Sequence, residues 1–221
     1  MDTFHSAGGR CWHEVKPTMV PMISGALKPA VTRLINPVAR FALRIGLTPN
    51  SVTVLGATGL VSSALFFYIN EEYFVGTLVI SFFALSDLFD GAMARISEEG
   101  SSQWGGFLDS TIDRVTDSAI LIAILIPLTA SSDALTPVAL TTLVTGLLIP
   151  YIRAKAESFN IQCSVGIAER TERLIILLTA IGFHGLGAPY ALAIGLWLLA
   201  ALGVITVIQR VRTVFVGLHS S

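Results

Sequence analysis

Four aspartates, Asp87, Asp90, Asp109 and Asp113, are the side chains in this sequence best placed to do chemistry. They stand in the stretch SDLFDGAMARISEEGSSQWGGFLDSTIDRVTD, residues 86–117. Asp87 and Asp90 are three apart and Asp109 and Asp113 four apart, so each pair shares one face of a helix. Four carboxylates brought together repel one another and take up protons unless cations sit among them. Hard oxygen donors on rigid helices, with room for water and phosphate, suit Mg2+ or Mn2+. A lone carboxylate in such a setting often only partners an arginine, and Arg95 and Arg114 are near in sequence. A set of four is poorly explained that way. Asp117 extends the second face by one more turn and fits a structural or metal-supporting role as well as a direct one.

The elements that must hold these groups are apolar. Of 221 residues 53% are hydrophobic and 13% charged, where ordinary soluble domains carry about a quarter charged residues. A soluble domain of this size must still show water a polar exterior; a bilayer removes that demand. Six segments approach the roughly 20 apolar residues a spanning helix needs: Val52–Ile69, Tyr73–Ile96, Trp104–Leu128, Ala134–Ala156, Thr171–Phe183 and Ala188–Val211. The fifth is short. Ahead of them, in Leu27–Ile45, Val31, Leu34, Ile35, Val38, Phe41, Ala42 and Ile45 recur at helical spacing while Lys28, Arg33, Arg40 and Arg44 project mostly elsewhere. That pattern predicts a helix in the headgroup plane, bent at Pro37. The expected fold is therefore an all-α integral membrane protein with six transmembrane helices preceded by an interfacial amphipathic helix.

Charge placement orients the bundle. From Lys28 onward the cations are Lys28, Arg33, Arg40, Arg44, Arg95, Arg114, Arg153, Lys155, Arg170, Arg173, Arg210 and Arg212, and six alternating crossings put all of them on one side. The connections around Glu71–Glu72, Asp133 and His184 hold no Lys or Arg. By the positive-inside rule both termini and the aspartates face the cytoplasm, and the cell (plasma) membrane is the expected location. Residues 1–21 contain charges but no apolar run; no cleavable signal sequence is expected, and the segment reads as a tag or disordered extension. The membrane domain is expected over 22–214, with 215–221 as a C-terminal tail. Cys11 and Cys163 lack metal-site spacing and read as unpaired thiols.

At 1.5 Å per residue, Asp90 lies roughly 9 Å above the cytoplasmic end of its helix and Asp109 roughly 7–8 Å into the next. A turn at Glu98–Ser102 thus brings both pairs to similar depth. Gly91, with Ala92 and Ala94, leaves a helix face bare, and Gly105 and Gly106 do the same opposite. Such surfaces admit a base or phosphate, or equally a neighbouring helix.

The order Asp87-x-x-Asp90-Gly91-x-x-Ala94-Arg95, followed by Gly105-x-x-x-Asp109-x-x-x-Asp113, resembles the signature of the CDP-alcohol phosphatidyltransferases. The loop between Arg95 and Gly105 is one residue longer than is common in that family. The resemblance covers nearly all of Met22–Val214. It implies that Asp87, Asp90 and Asp109 hold two divalent cations, Mg2+ or Mn2+, on the diphosphate of a CDP-lipid. It also implies that Asp113 reaches the metal site and is the base that takes the acceptor hydroxyl's proton. Gly91, Arg95 and Ser102 resemble nucleotide-binding positions, as do Asn50, Ser51, Val52 and Thr53; read without the family, Pro49 and Asn50 are a helix start. The arrangement YIxAxAE…GxxERxERLI is similar to the bacterial phosphatidylinositol-phosphate synthases and implies that Arg153, Lys155, Arg173 and Arg210 bind the acceptor's phosphate. The basic residues by themselves also suit membrane anchoring.

The expected activity is transfer of the phosphatidyl group from CDP-diacylglycerol to inositol 1-phosphate, with release of CMP. Glycerol 3-phosphate as acceptor is the nearest alternative. A cation transporter is a more distant one, since its carboxylates belong at the bilayer midplane. The expected partners are these two substrates, membrane lipid and a second copy of the chain as a homodimer, with no nucleic acid.

Overall fold

The computed structural model describes residues 36–96 and 102–219. Expectations for residues 1–21, for Lys28 and Arg33, and for residues 98–101 of the turn lie outside the described residues. A short helix, α1 (36–44), leads into α2 (Pro49–Ser63), which continues as a π-helical turn over Ala64–Tyr68. Then follow α3 (Tyr73–Ala84), α4 (Ser86–Ile96), α5 (Gln103–Ala130), α6 (Thr136–Glu157), α7 (Arg170–Gly185) and α8 (Ala191–His219). No strand occurs among the described residues.

Local chemistry sets the helix starts near the aspartates. Thr48 caps α2, its hydroxyl accepting from the Ser51 amide at 3.2 Å, with Pro49 in the first turn, where its missing N–H costs nothing. Ser102 caps α5 by accepting from the Gly105 amide at 2.9 Å. Glu169 and Glu172 form a reciprocal capping box at the start of α7. Each cap holds a helix N-terminus at the end of the bundle where the carboxylates lie.

The chain runs back and forth between two ends. Thr53 near the start of α2 reaches Asp90 on α4, and Arg170 at the start of α7 reaches Asp113 on α5. At the opposite end Tyr68 bonds to Thr77 at 2.9 Å, and the Tyr73 ring lies 5.1 Å from His184. Between the ends Leu60, Ile80, Ile120, Ile124, Ile181 and Leu196 form a fully or nearly buried apolar core. The outside is apolar as well: Phe66, Phe82, Ile194 and Trp197 are all exposed, an arrangement that suits lipid rather than water.

Among the described residues four stretches, Pro49–Tyr68, Tyr73–Ile96, Thr136–Glu157 and Ala191–His219, are long and apolar enough to cross a membrane. The other two helices depart for identifiable reasons. α5 has 28 residues, but Asp109, Asp113, Arg114 and Asp117 interrupt its apolar run. α7 has 16 residues, about 24 Å of helix against a hydrocarbon core of about 30 Å. Residues 73–96, read from sequence as one segment, are divided at Leu85, and residues 215–219, set apart as a tail, continue α8.

Candidate metal and phosphate site

The aspartates converge. Asp87 and Asp90 on α4 and Asp109 on α5 each offer an oxygen within 4.8 Å of the others. Asp90 is the buried member, at 6% exposure, and the Thr53 hydroxyl of α2 donates to its Oδ2. That contact depends on Gly56, one turn on. A side chain there would collide with Ser86, so the glycine lets α2 lie close against the start of α4. Three acidic oxygens from two helices, with a hydroxyl fixing the deepest, form a hard-donor set that fits a divalent cation.

Asp113 stands beside this trio and is held differently. Its Oδ1 lies 2.8 Å from Nη1 of Arg170, the first residue of α7. The same guanidinium reaches Asp87 Oδ2 at 3.4 Å, both oxygens of Asp117 through Nε at 3.2 and 3.3 Å, and the Thr116 hydroxyl at 3.4 Å. One arginine therefore answers three carboxylates from two helices. Arg95 and Arg114, the partners nearest in sequence, make no ion pair among the described residues. Asp117 is thereby assigned a partner: it anchors Arg170.

Two clefts meet at Arg170 and Leu174. The first, about 380 Å3 with the solvent at its mouth, is lined by Thr53, Ser86 and the carboxylates Asp87, Asp90, Asp109 and Asp113. The second, about 470 Å3 on the same measure, runs between α5, α6, α7 and α8 past Asp117, Thr142, Thr145, Arg173 and Gly203. Around the first, Gly91 has space: a Cβ there would meet only Arg95 Nη1, at 3.5 Å, and one on Gly106 would meet nothing within 4 Å. Among the described residues, neither glycine is covered by a packed helix. Asn50 lies at the start of α5, its Oδ1 about as near the position of a Gly105 Cβ as the Ser102 hydroxyl is, at 3.2 and 3.1 Å. Asn50, Ser102 and Gly105 are thus brought together, while Ser51 and Thr48 share a hydroxyl bond at 2.8 Å and Val52 turns into the apolar contact beneath α1.

The basic residues divide. Arg173 lines the second cleft, with Arg114, Arg170 and Arg210 as like charges nearby and Asp117 as counter-charge. Arg210 donates to the carbonyls of Ile149 at 2.6 Å and Val165 at 2.9 Å, tying α8 to α6 and to the loop before α7. Arg153 pairs with Glu157 at 3.0 Å and Lys155 lies over the Phe159 ring at 4.9 Å. Two residues apart on a helix, they point to nearly opposite sides. Arg170 is the site residue the sequence analysis left out of its ligand sets. The usable signal was its position beside Glu169, at the capped start of a helix three residues before Arg173.

A sequence profile of the family described as CDP-alcohol phosphatidyltransferase matches residues 46–214. The phosphatidylinositol phosphate synthase of Mycobacterium tuberculosis strain H37Rv is 42% identical over 201 residues, covering 89% of this chain and 91% of the relative. That of Streptomyces avermitilis is 41% identical over 202 residues, covering 87% and 82%. A crystal structure of the M. tuberculosis synthase with CDP-DAG bound superposes with a TM-score of 0.78 over 83% of this chain and 94% of that one, at 42% identity. A second crystal structure, in complex with manganese and citrate, gives 0.76 over 82% and 88% at the same identity.

Proposed function

Because the chain belongs to the CDP-alcohol phosphatidyltransferase family, we propose that it transfers the phosphatidyl group of CDP-diacylglycerol to inositol 1-phosphate, forming phosphatidylinositol phosphate and CMP. The observation that carries this reading is the meeting of Asp87, Asp90 and Asp109 within 4.8 Å beside a cleft that holds Arg173. When bound, divalent metal, as two Mg2+ or Mn2+ ions on Asp87, Asp90, Asp109 and Asp113, supplies charge neutralisation at the diphosphate and at the departing CMP. Thr53 keeps Asp90 turned toward that position. Asn50, Ser51, Val52, Thr53, Gly91, Arg95 and Ser102 border the CDP moiety.

In this reading Asp113 accepts the proton of the acceptor's hydroxyl as that oxygen bonds to the phosphorus attached to diacylglycerol. The phosphorus–oxygen bond to CMP breaks, and CMP leaves with the electron pair. Arg170 orients the Asp113 carboxylate. A phosphomonoester on the acceptor is balanced by Arg173, with Arg210, Arg153 and Lys155 at the same end of the bundle. The protein acts as a membrane protein with six crossings, α1 in the headgroup plane, and the active site and both termini in the cytoplasm at the plasma membrane. Its catalytic unit spans 22–214, and it works as a homodimer.

Purified protein given CDP-diacylglycerol, Mg2+ and one acceptor at a time tests the proposal through CMP release. Turnover with inositol 1-phosphate alone is expected. Turnover with glycerol 3-phosphate alone would replace the acceptor and keep the chemistry; no CMP with either would remove the reaction.

A further inference from the structure

α1 has three faces, and among the described residues the rest of the protein occupies one. At about 100° per residue, Ala39, Ala42 and Leu43 form one stripe, Val38, Phe41 and Ile45 a second, and Arg40 and Arg44 a third, about a third of a turn from the second. The first stripe is taken. Ala39 is fully buried, and with Ala42 and Leu43 it belongs to a cluster with Val52 of α2 and Ala92 and Met93 of α4. The second is open, with Val38 52%, Phe41 63% and Ile45 60% exposed. The third borders a recess shared with Asn36, and neither arginine is ion-paired among the described residues.

We propose that Arg40 and Arg44 bind the headgroups of anionic phospholipids, and that this contact seats α1 against α4 and so tunes the site to the lipid surface around it. The inference rests on the reading of α1 as a helix in the headgroup plane. A helix with protein on one side, apolar residues on the next and guanidinium groups on the third fits the line where protein, acyl chains and phosphates meet. Guanidinium forks match phosphate oxygens in geometry as well as charge. An acidic protein partner would satisfy the arginines but gives Val38, Phe41 and Ile45 no acyl chains to enter. The path to the chemistry is short. Ala92 and Met93 lie two and three residues beyond Asp90 on the same helix, and Val52 precedes Thr53, whose hydroxyl bonds to Asp90.

The test uses the full chain in nanodiscs of phosphatidylcholine alone or mixed with phosphatidylglycerol, which is neither donor nor acceptor in the reaction, at one mole fraction of CDP-diacylglycerol. A basic residue near an anionic surface is worth about a five-fold factor in occupancy. With two arginines, CMP release at sub-saturating CDP-lipid should therefore rise by about five-fold to about 25-fold with phosphatidylglycerol and lose that gain at high salt. The double variant Arg40→Gln, Arg44→Gln should keep the rate seen in phosphatidylcholine and show no gain. A nitroxide at position 41, with Cys11 and Cys163 changed to serine, reports the helix's depth independently. Membrane depth with no difference between wild type and variant overturns the headgroup assignment and leaves the interfacial helix standing; a water-exposed nitroxide overturns both. A variant rate that collapses in phosphatidylcholine alone places the arginines in the fold and also overturns the proposal.

Discussion

A carboxylate that holds a cation and one that takes a proton fail differently when turned into an amide. Asp90 is buried and fixed by Thr53 within the trio of close oxygens. Asp113 lies beside the trio on Arg170. Asp113→Asn should lower kcat by about 100- to 10,000-fold, the range of general-base contributions, while metal-dependent binding of CDP-diacylglycerol changes far less. Asp90→Asn should lose that binding itself. Paired titrations of both variants with CDP-lipid in Mg2+ separate the two, and a freely turning-over Asp113→Asn enzyme would refute the base assignment. On the acceptor side Arg173 lines the cleft, whereas Arg153 is half-engaged with Glu157 at the surface. Arg173→Ala should raise the acceptor KM by about ten-fold or more with kcat little changed, and Arg153→Ala should raise it less. Equal KM values for wild type and Arg173→Ala would take that residue out of the acceptor pocket.

Helices carry these side chains only if they can approach one another. Gly195 on α8 is pressed onto Ala180 of α7, where a Cβ would collide with the alanine methyl. Gly195→Val should therefore destabilise the protein by about 1–3 kcal/mol, the usual cost of overpacking, measured as a lower unfolding temperature in detergent. Gly106→Ala, where nothing lies within 4 Å, should not. An unchanged midpoint for Gly195→Val would contradict the α7–α8 contact. This scale also separates what could be read in advance from what could not. Hydropathy and caps marked two of the spans to within a few residues, because those signals are local: Val52–Ile69 against Pro49–Tyr68, Ala134–Ala156 against Thr136–Glu157. The convergence of Asp87, Asp90 and Asp109 was legible from three- and four-residue spacing on either side of a turn. The Arg170 network was not. Its partners lie 53 and 83 residues away, and such pairing depends on the rotation and packing of α7, which no one-helix pattern encodes. α1 was half legible: its apolar periodicity was visible, but the choice of Ala39, rather than Val38 or Phe41, to face the protein follows from the fit to Met93.

At the scale of the whole molecule, every described basic residue lies toward the end of the bundle that carries the aspartates, and the other end has Glu71, Glu72, Asp133 and His184. Carrying lysine and arginine across a membrane is disfavoured, so the orientation we propose from this polarity has the site inside the cell. It also accounts for the acidic start of α5, whose Asp109 and Asp113 line the cleft at that end. The orientation predicts which loops meet which solvent. In a Cys11→Ser, Cys163→Ser background, Ser132→Cys, exposed between α5 and α6, should react with a membrane-impermeant maleimide in intact cells. Ser158→Cys, exposed just after α6, should react only after the cells are opened. The reverse pattern would invert the protein and put its substrates on the wrong side. Labelling of both from one side would mean that α6 does not cross, and an odd number of crossings would then separate Arg170 from the carboxylates it touches.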